Sequence, residues 1–421
     1  MKKYIITFLV FTQAFVSCER FREANEADKI VPLSVTLNLK LVSEDITLSN
    51  DLLVKFDNYS EGLHLEKEFR GETVRMDDII PGIYTISVSG VGIDGKGSEY
   101  YLNGNLVNKA LFKADIDLHI PLQGLKISPL LFKEIYYAGS RTPANTVYFR
   151  DQFYEIYNNS AETQYLDGIC FANLTPGKAT TKLPLWPEED GEKYVYAERV
   201  WRFPGKGTDY PLKSGESCII SQFAANHQLE QYNPNSPVNC SSSEFEFNMN
   251  NPNFPDQAAI NMIHVFYNGK SDQGTIPQYL TSVFGGAYVL FKIPEDDVWD
   301  PVNNPALKTT DRSKPKSKMY YAKVPVKYVL DAVEAVDNET MINAKRVPAV
   351  LDAGLTYVGA TYCGLGVSRK PSVDENGELL KRENGALIFQ DTNNSTNDFE
   401  RGVVPILRRY DTKIPAWNHA K

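Results

Sequence analysis

The stretch Ile79-Ile80-Pro81-Gly82-Ile83-Tyr84-Thr85-Ile86-Ser87-Val88 decides the fold class. Pro81 presets φ at the second position of a turn and Gly82 supplies the positive φ behind it, a type II signature. From there Ile83 and Thr85 alternate with Tyr84, Ile86 and Val88, so two sets of side chains leave one strand on opposite faces. Upstream, Val35, Leu37, Leu39 and Leu41 alternate with Thr36, Asn38, Lys40 and Val42, and Leu52–Phe56 reads as another strand. Downstream, Ala114–Ile120 closes the unit, where His119 and Asp117 share the face turned to solvent.

Composition agrees with a β-rich reading. A chain of 421 residues suggests two or three domains, and 42% apolar residues excludes wholesale disorder. The 24 Tyr, 21 Phe, 24 Pro and 27 Gly lean toward strands and turns. A net charge of −9 argues against nucleic acid as a partner. Only 5 His leave little material for a histidine-built metal site or an acid–base centre.

The N-terminus points to the cell envelope. Lys2 and Lys3 precede a nearly continuous apolar run from Tyr4 to Phe15. Spanning a bilayer takes about 20 residues, so this run fits a secretory leader instead. It ends in Phe15-Val16-Ser17-Cys18, which resembles a bacterial lipobox with Phe15 in place of the preferred Leu. That resemblance implies a signal peptide over residues 1–17 and lipid attachment at Cys18, where several acyl chains together anchor almost permanently. Glu19 to Lys29 has no apolar face to bury, so residues 18–32 read as a tether. Its acidic residues resemble export signals that send some lipoproteins to the outer surface.

Two resemblances divide the remainder. The pattern around Pro81-Gly82 resembles the prealbumin-like β-sandwich of bacterial surface proteins, which implies a first unit over residues 33–124. Phe153-Tyr154-Glu155-Ile156-Tyr157-Asn158-Asn159 followed by Leu166-Asp167-Gly168-Ile169 resembles the lamin-tail domain, an immunoglobulin-like sandwich. The hallmark Trp of that domain is absent, with Ile169 and Cys170 standing near its place. Leu212-Lys213-Ser214-Gly215-Glu216 and, later, Ser368-Arg369 with Asp391 to Phe399 resemble its further segments in the right order. The second unit then covers residues 125–421, with an insertion around 227–345. As a whole the chain resembles an uncharacterised family of Bacteroides-type surface lipoproteins. The fold expected is mainly β, with two β-sandwich domains and at least one helix in the insertion.

That helix is expected from Pro325, because Val326, Val329, Leu330 and Val333 fall at i, i+3, i+4 and i+7. Asp331, Glu334 and Asp337 would then lie on its solvated face. Residues 227–260 and 295–320 are turn-dense and polar, and such long loops are the expected contact surfaces. With Cys18 lipidated, Cys170, Cys218, Cys240 and Cys363 remain, and their environments favour buried thiols over bridges.

Catalytic signatures are missing from the sequence. There is no H-E-x-x-H, P-loop or nucleophile elbow, and Gly364-Leu365-Gly366 lacks the helix a dinucleotide fingerprint needs. Asp374-Glu375-Asn376-Gly377-Glu378 offers alternating oxygens to calcium but lacks EF-hand spacing, and a polar turn accounts for it. No catalytic residue, metal ligand or cofactor is assigned. The expectation is a non-enzymatic lipoprotein of the outer membrane, exposed at the cell surface or facing the periplasm. It would act as a binding or accessory subunit beside an outer-membrane β-barrel or transporter. The alternative is carbohydrate binding, motivated by Trp186, Trp201, Trp299 and Trp417 with Tyr136-Tyr137 and Tyr320-Tyr321.

Overall fold

The computed structural model describes residues 30–420 apart from 43–44, 50, 96–98, 114–115, 253, 275 and 375. The expectations for the leader, for Cys18 and for the tether as far as residue 29 lie outside the described residues. The fold is mainly β, built as two sandwiches.

In the first sandwich the strands are β1 (Leu33–Leu41), β2 (Ile46–Leu48), β3 (Leu52–Asn58), β4 (Leu63–Phe69), β5 (Thr73–Ile79), β6 (Gly82–Asp94), β7 (Glu99–Leu111) and β8 (Ile116–Lys126). Their order is β4-β3-β6-β7-β8-β1-β5, with β2 added to β6. Strand β8 ties the two layers: Ile116 to Leu122 pair in parallel with Val35 to Leu41 of β1, and Gln123 to Lys126 pair with β7. The period-2 pattern of β1 does what it should, since Val35 and Leu37 are fully buried while Thr36 and Asn38 are half-buried. They meet Val54, Phe56, Ile86 and Val88 in one core. His119 and Asp117 are exposed on β8, as their alternation implies.

The Pro81-Gly82 turn joins β5 to β6, but not by a positive φ at Gly82. Asp78 holds the positive φ, 61°, beside the turn. Glycine is needed at 82 for space, because a Cβ there would lie 2.5 Å from Asn58 Nδ2.

The second sandwich pairs a seven-stranded sheet with an eight-stranded one. The first runs Ile260–Asn261, Phe245–Glu246, Ser217–Ser221, Phe153–Asn158, Leu130–Tyr136, Gly366–Arg369 and Phe399–Val403. The facing sheet runs Lys308–Thr310, Tyr320–Pro325, Tyr194–Arg202, Cys170–Leu174, Ala287–Phe291, Val329–Val336 and Thr356–Tyr357, with Ile263–Tyr267 also pairing Tyr194–Arg202. Phe132, Tyr154, Phe171, Trp201 and Tyr288 fill the space between the sheets. Strands such as Leu130–Tyr136 are buried along their whole length. Their outer face is covered too, by the segments that carry Val238, Cys240 and Phe389.

The expected helix after Pro325 is not formed. Val326–Tyr328 makes one 3-10 turn, and Val329–Val336 continues as a strand between Ala287–Phe291 and Thr356–Tyr357. Helical regions in the expected insertion, among the described residues, are 3-10 turns such as Glu339–Ala344. Two of the three acids expected on a solvated helix face are inside, while Asp337, just past the strand, is half-buried. Asp331 and Glu334 are buried at 2% and 0% exposure, in ion pairs with Arg369 and Arg346.

Candidate functional site

A cleft of about 660 Å³ opens beside the start of the strand Tyr194–Arg202, where the second sandwich meets the far end of β1 and β8. Most of its wall belongs to the second sandwich. Trp299 and Val298 come from the loop after Ala287–Phe291, Tyr194 from a strand start, and Val326 and Tyr328 from the 3-10 turn that replaced the expected helix. Val42, Gln123 and Gly124 close one rim.

Several wall residues are held by local contacts. The indole Nε1 of Trp299 donates to Lys323 O at 2.8 Å, and its ring meets Phe291 edge-on at 5.2 Å. The Tyr328 hydroxyl donates to Asp297 Oδ2, and that bond together with the Val298 N–H holds the Asp297 carboxyl below its ordinary range. Lys327 lies over the Tyr328 ring at 4.5 Å, and Lys323 over the Tyr194 ring at 4.4 Å. The hydrogen bond to Tyr328 raises the Lys327 amine. Gln123 donates to Glu192 across the seam between the sandwiches. An aromatic and aliphatic floor with balanced charges at the rim suits an uncharged or amphipathic ligand. A second hollow of about 410 Å³ adjoins it, sharing Gln123, Glu192 and Val350.

The expected contact loops divide. Residues 295–320 supply Asp297, Val298, Trp299 and Leu307 to the cleft, and Val298 is 82% exposed. In the 227–247 part of the other loop His227, Asn233, Cys240 and Phe245 are each fully buried, while Gln228, Leu229, Glu230 and Gln231 are exposed. Burial pulls the His227 imidazole down to about 4, and its ring is held by Tyr148 at 2.7 Å and Phe223 O at 2.9 Å.

The aromatic stock divides, with Tyr320 exposed at 42% and Tyr321, Trp186, Trp299 and Trp417 half-buried. Trp201, Tyr136 and Tyr137 are fully buried, and Trp186 stacks on Tyr196 with centroids 3.9 Å apart. Trp417 donates to Pro211 O. Of the four tryptophans, Trp299 alone lines the cleft.

The oxygen-rich segments are structural. Asp374 Oδ1 accepts from the N–H groups of Asn376 and Glu378, which makes a polar turn. Asn394 caps the short helix Ser395–Asp398, while Asp391 and Asp398 turn toward Arg369. Among the described residues no group of three His, Cys, Asp or Glu could hold a metal ion. Nor is any helix among them long and apolar enough to cross a membrane. Gly366–Arg369 is a strand within a sheet, without the helix a dinucleotide fold would place after it. All four remaining cysteines are free thiols, with Cys170, Cys218 and Cys240 buried and Cys363 half-buried. Cys363 lies in a bend before Gly366–Arg369 and Cys240 in a packed loop.

Sequence comparison adds a family. A family model described as a protein of unknown function (DUF4876) matches residues 213–406. The crystal structure of a DUF4876 family protein from Bacteroides thetaiotaomicron VPI-5482 at 2.50 Å resolution is 66% identical, and the match covers 92% of this chain and 100% of that one. The chain belongs to the DUF4876 family. The two structures align with a TM-score of 0.71. A Bacteroides ovatus ATCC 8483 structure also matches, at 11% identity over 64% of this chain and 81% of its own, but its TM-score of 0.19 carries no argument. No curated protein matches. Within this DUF4876 chain the matched segment includes Trp299 and Tyr328 of the cleft and leaves out Tyr194.

Proposed function

We propose that this DUF4876 protein is a lipid-anchored protein of the outer membrane, exposed at the cell surface, that holds a ligand rather than transforming it. It would work as a binding or accessory subunit beside an outer-membrane β-barrel or transporter. The observation that carries the reading is the leader followed by Phe15-Val16-Ser17-Cys18 and an acidic tether. The open cleft around Trp299 supports a binding role. In this reading the first sandwich is prealbumin-like. The second is lamin-tail-like, with Glu155 mid-strand and Leu166 in the core.

Replacing Cys18 by Ala and labelling cells with a fatty-acid analogue tests the anchor. The expected result is a labelled parent that sediments with membranes and an unlabelled variant that is released or unprocessed. Equal labelling of both would overturn it. Co-purification of a barrel protein from detergent extracts tests the accessory role.

Carbohydrate binding is the second reading, favoured by the convergence of Trp299, Tyr194 and Tyr328 on one cleft. Retention on a polysaccharide gel that is lost in Trp299→Ala would support it. Equal retention of parent and variant would remove it.

A further inference from the structure

We propose that the end of the first sandwich from which the chain emerges rests on the lipid surface; the inference builds on the lipid-anchor reading. Strand register brings an apolar cluster to that end. Ile30 and Val31 lead into β1 and are 65% and 70% exposed. Leu33 pairs with Ile79, which sets the exposed Ile80 beside them. Gly82 pairs with Leu111, so Ile83 and Phe112 flank the same end at 51% and 61% exposure. Val35 pairs in parallel with Ile116, which returns the connection after Phe112 to this place. Ile83 also borders a shallow hollow shared with Glu339 and Ile342 of the second sandwich.

Scattered exposed apolar residues are ordinary on a soluble surface, but a cluster collected at one end marks a contact. Where the chain leads identifies the occupant. Cys18 precedes Ile30 by 12 positions. Even fully extended, that length reaches at most about 40 Å at 3.3–3.6 Å per residue. An acylated Cys18 therefore keeps the sandwich within about 40 Å of the bilayer whatever path the tether takes, and the exposed apolar cluster selects the end that rests on it. Tethering at such range makes the second contact effectively intramolecular, so a few apolar side chains suffice to hold it. Lys113 is exposed next to Phe112, and Asp77 and Asp78 are exposed beside Ile79, so the contact rests on the apolar side chains and not on net charge. The cleft around Trp299 adjoins Val42 and Gly124, at the opposite end of β1 and β8. Nine residues of β1 at about 3.3 Å each separate that end from the contact by roughly 30 Å, which leaves the cleft clear of the membrane.

The test uses the mature acylated protein in phosphatidylcholine vesicles, with and without bromine on the acyl chains. The four native tryptophans all lie in the second sandwich. A Phe112→Trp variant therefore reports the proposed contact, and Val298→Trp reports a distant exposed site. The expected result is bromine quenching of the added Phe112→Trp emission by about half, with none added by Val298→Trp. Hydrogen exchange of the unsubstituted protein gives an independent reading, with slower exchange expected at residues 79–83 and 110–113 on vesicles. An acylated, vesicle-bound chain without quenching or slowed exchange would overturn the contact alone. Concentration-dependent dimers that protect this end without lipid would overturn it in favour of a second copy. A chain that carries no acyl group and stays in solution would overturn the anchor reading, and the contact with it.

Discussion

Arg369 and Asp331 join the two sheets of the second sandwich: the guanidinium donates to Asp331 Oδ2 at 2.9 Å, with both side chains 2% exposed. The Phe132 N–H donates to the same oxygen at 2.6 Å. Arg369 also donates to Asp391 Oδ1 at 3.0 Å and lies 3.6 Å from Asp398. One guanidinium thus gathers carboxylates from a facing strand, a loop and a short helix; burial lowers its pKa, but their field outweighs that and raises it above the ordinary arginine value.

Removing that cation should be costly. Arg369→Met leaves Asp331, Asp391 and Asp398 facing one another without a counter-charge, and stripping one partner from a buried pair costs about 3–5 kcal/mol. Urea unfolding at pH 7.5 should show the loss as a lower midpoint. A midpoint equal to the parent's would mean that the cluster contributes nothing.

Stability should rise as pH falls from 8 to 6. Burial raises Glu246 to about 7 and Asp151 to about 6, and it pushes Asp331 and Asp398 upward together around their shared Arg369. Folding favours the protonated form of each, so the stability they lend is complete below about pH 4 and is lost as pH climbs through 6 to 7. Asp167, Asp300 and Asp311 are shifted down instead and act only in stronger acid, where their stabilisation is lost. His227 and His264, pulled down to about 4 by burial, oppose the rise below about pH 6.5, but two imidazoles are outnumbered by the four carboxyls. The melting temperature should therefore be higher at pH 6 than at pH 8. Glu246→Gln should flatten that slope, because Glu246 takes its bonds from the Ala224 and Gln257 N–H groups rather than from a cation. A slope unchanged by the substitution would contradict its part.

The same buried charges explain what could be read from the sequence. Strand β1 declares itself because one face is core and the other is not. The strand Val329–Val336 is covered on both faces, so its acids carry no mark of exposure. Asp331 is neutralised by a partner 38 positions away and Glu334 by one 12 away, distances that no local pattern reports. Spacing of Val326, Val329, Leu330 and Val333 fitted a helix, and tertiary pairing overrode it. The cleft was half legible. Its loop 297–307 could be picked out as long and polar, but Val42, Tyr194 and Tyr328 reach it from just past one strand, the start of another and a turn.

Thiol reactivity should single out Cys363. Burial raises the Cys170 and Cys240 thiols to about 12 and Cys218 likewise upward, so little thiolate forms at pH 8. With an aromatic disulfide reagent on the native protein, Cys363 should react first and the others only as urea opens the fold. Fast reaction of Cys218 would contradict the packing, and a disulfide found by mass mapping would contradict the free thiols.

Gly82 and Asn58 should be energetically coupled. A Cβ at 82 would press on Asn58 Nδ2, and Asn58 is 1% exposed with its Oδ1 already accepting from Ser60 and Glu61. Asn58 therefore has little room to retreat, and overpacking of this kind costs about 1–3 kcal/mol. Gly82→Ala should lower stability by that amount in the parent and by clearly less in an Asn58→Ala background, where the obstructing amide is gone. If backbone strain were the cause, the two losses would match, because shortening residue 58 relieves no strain at residue 82. A double-mutant cycle by urea unfolding separates the two explanations.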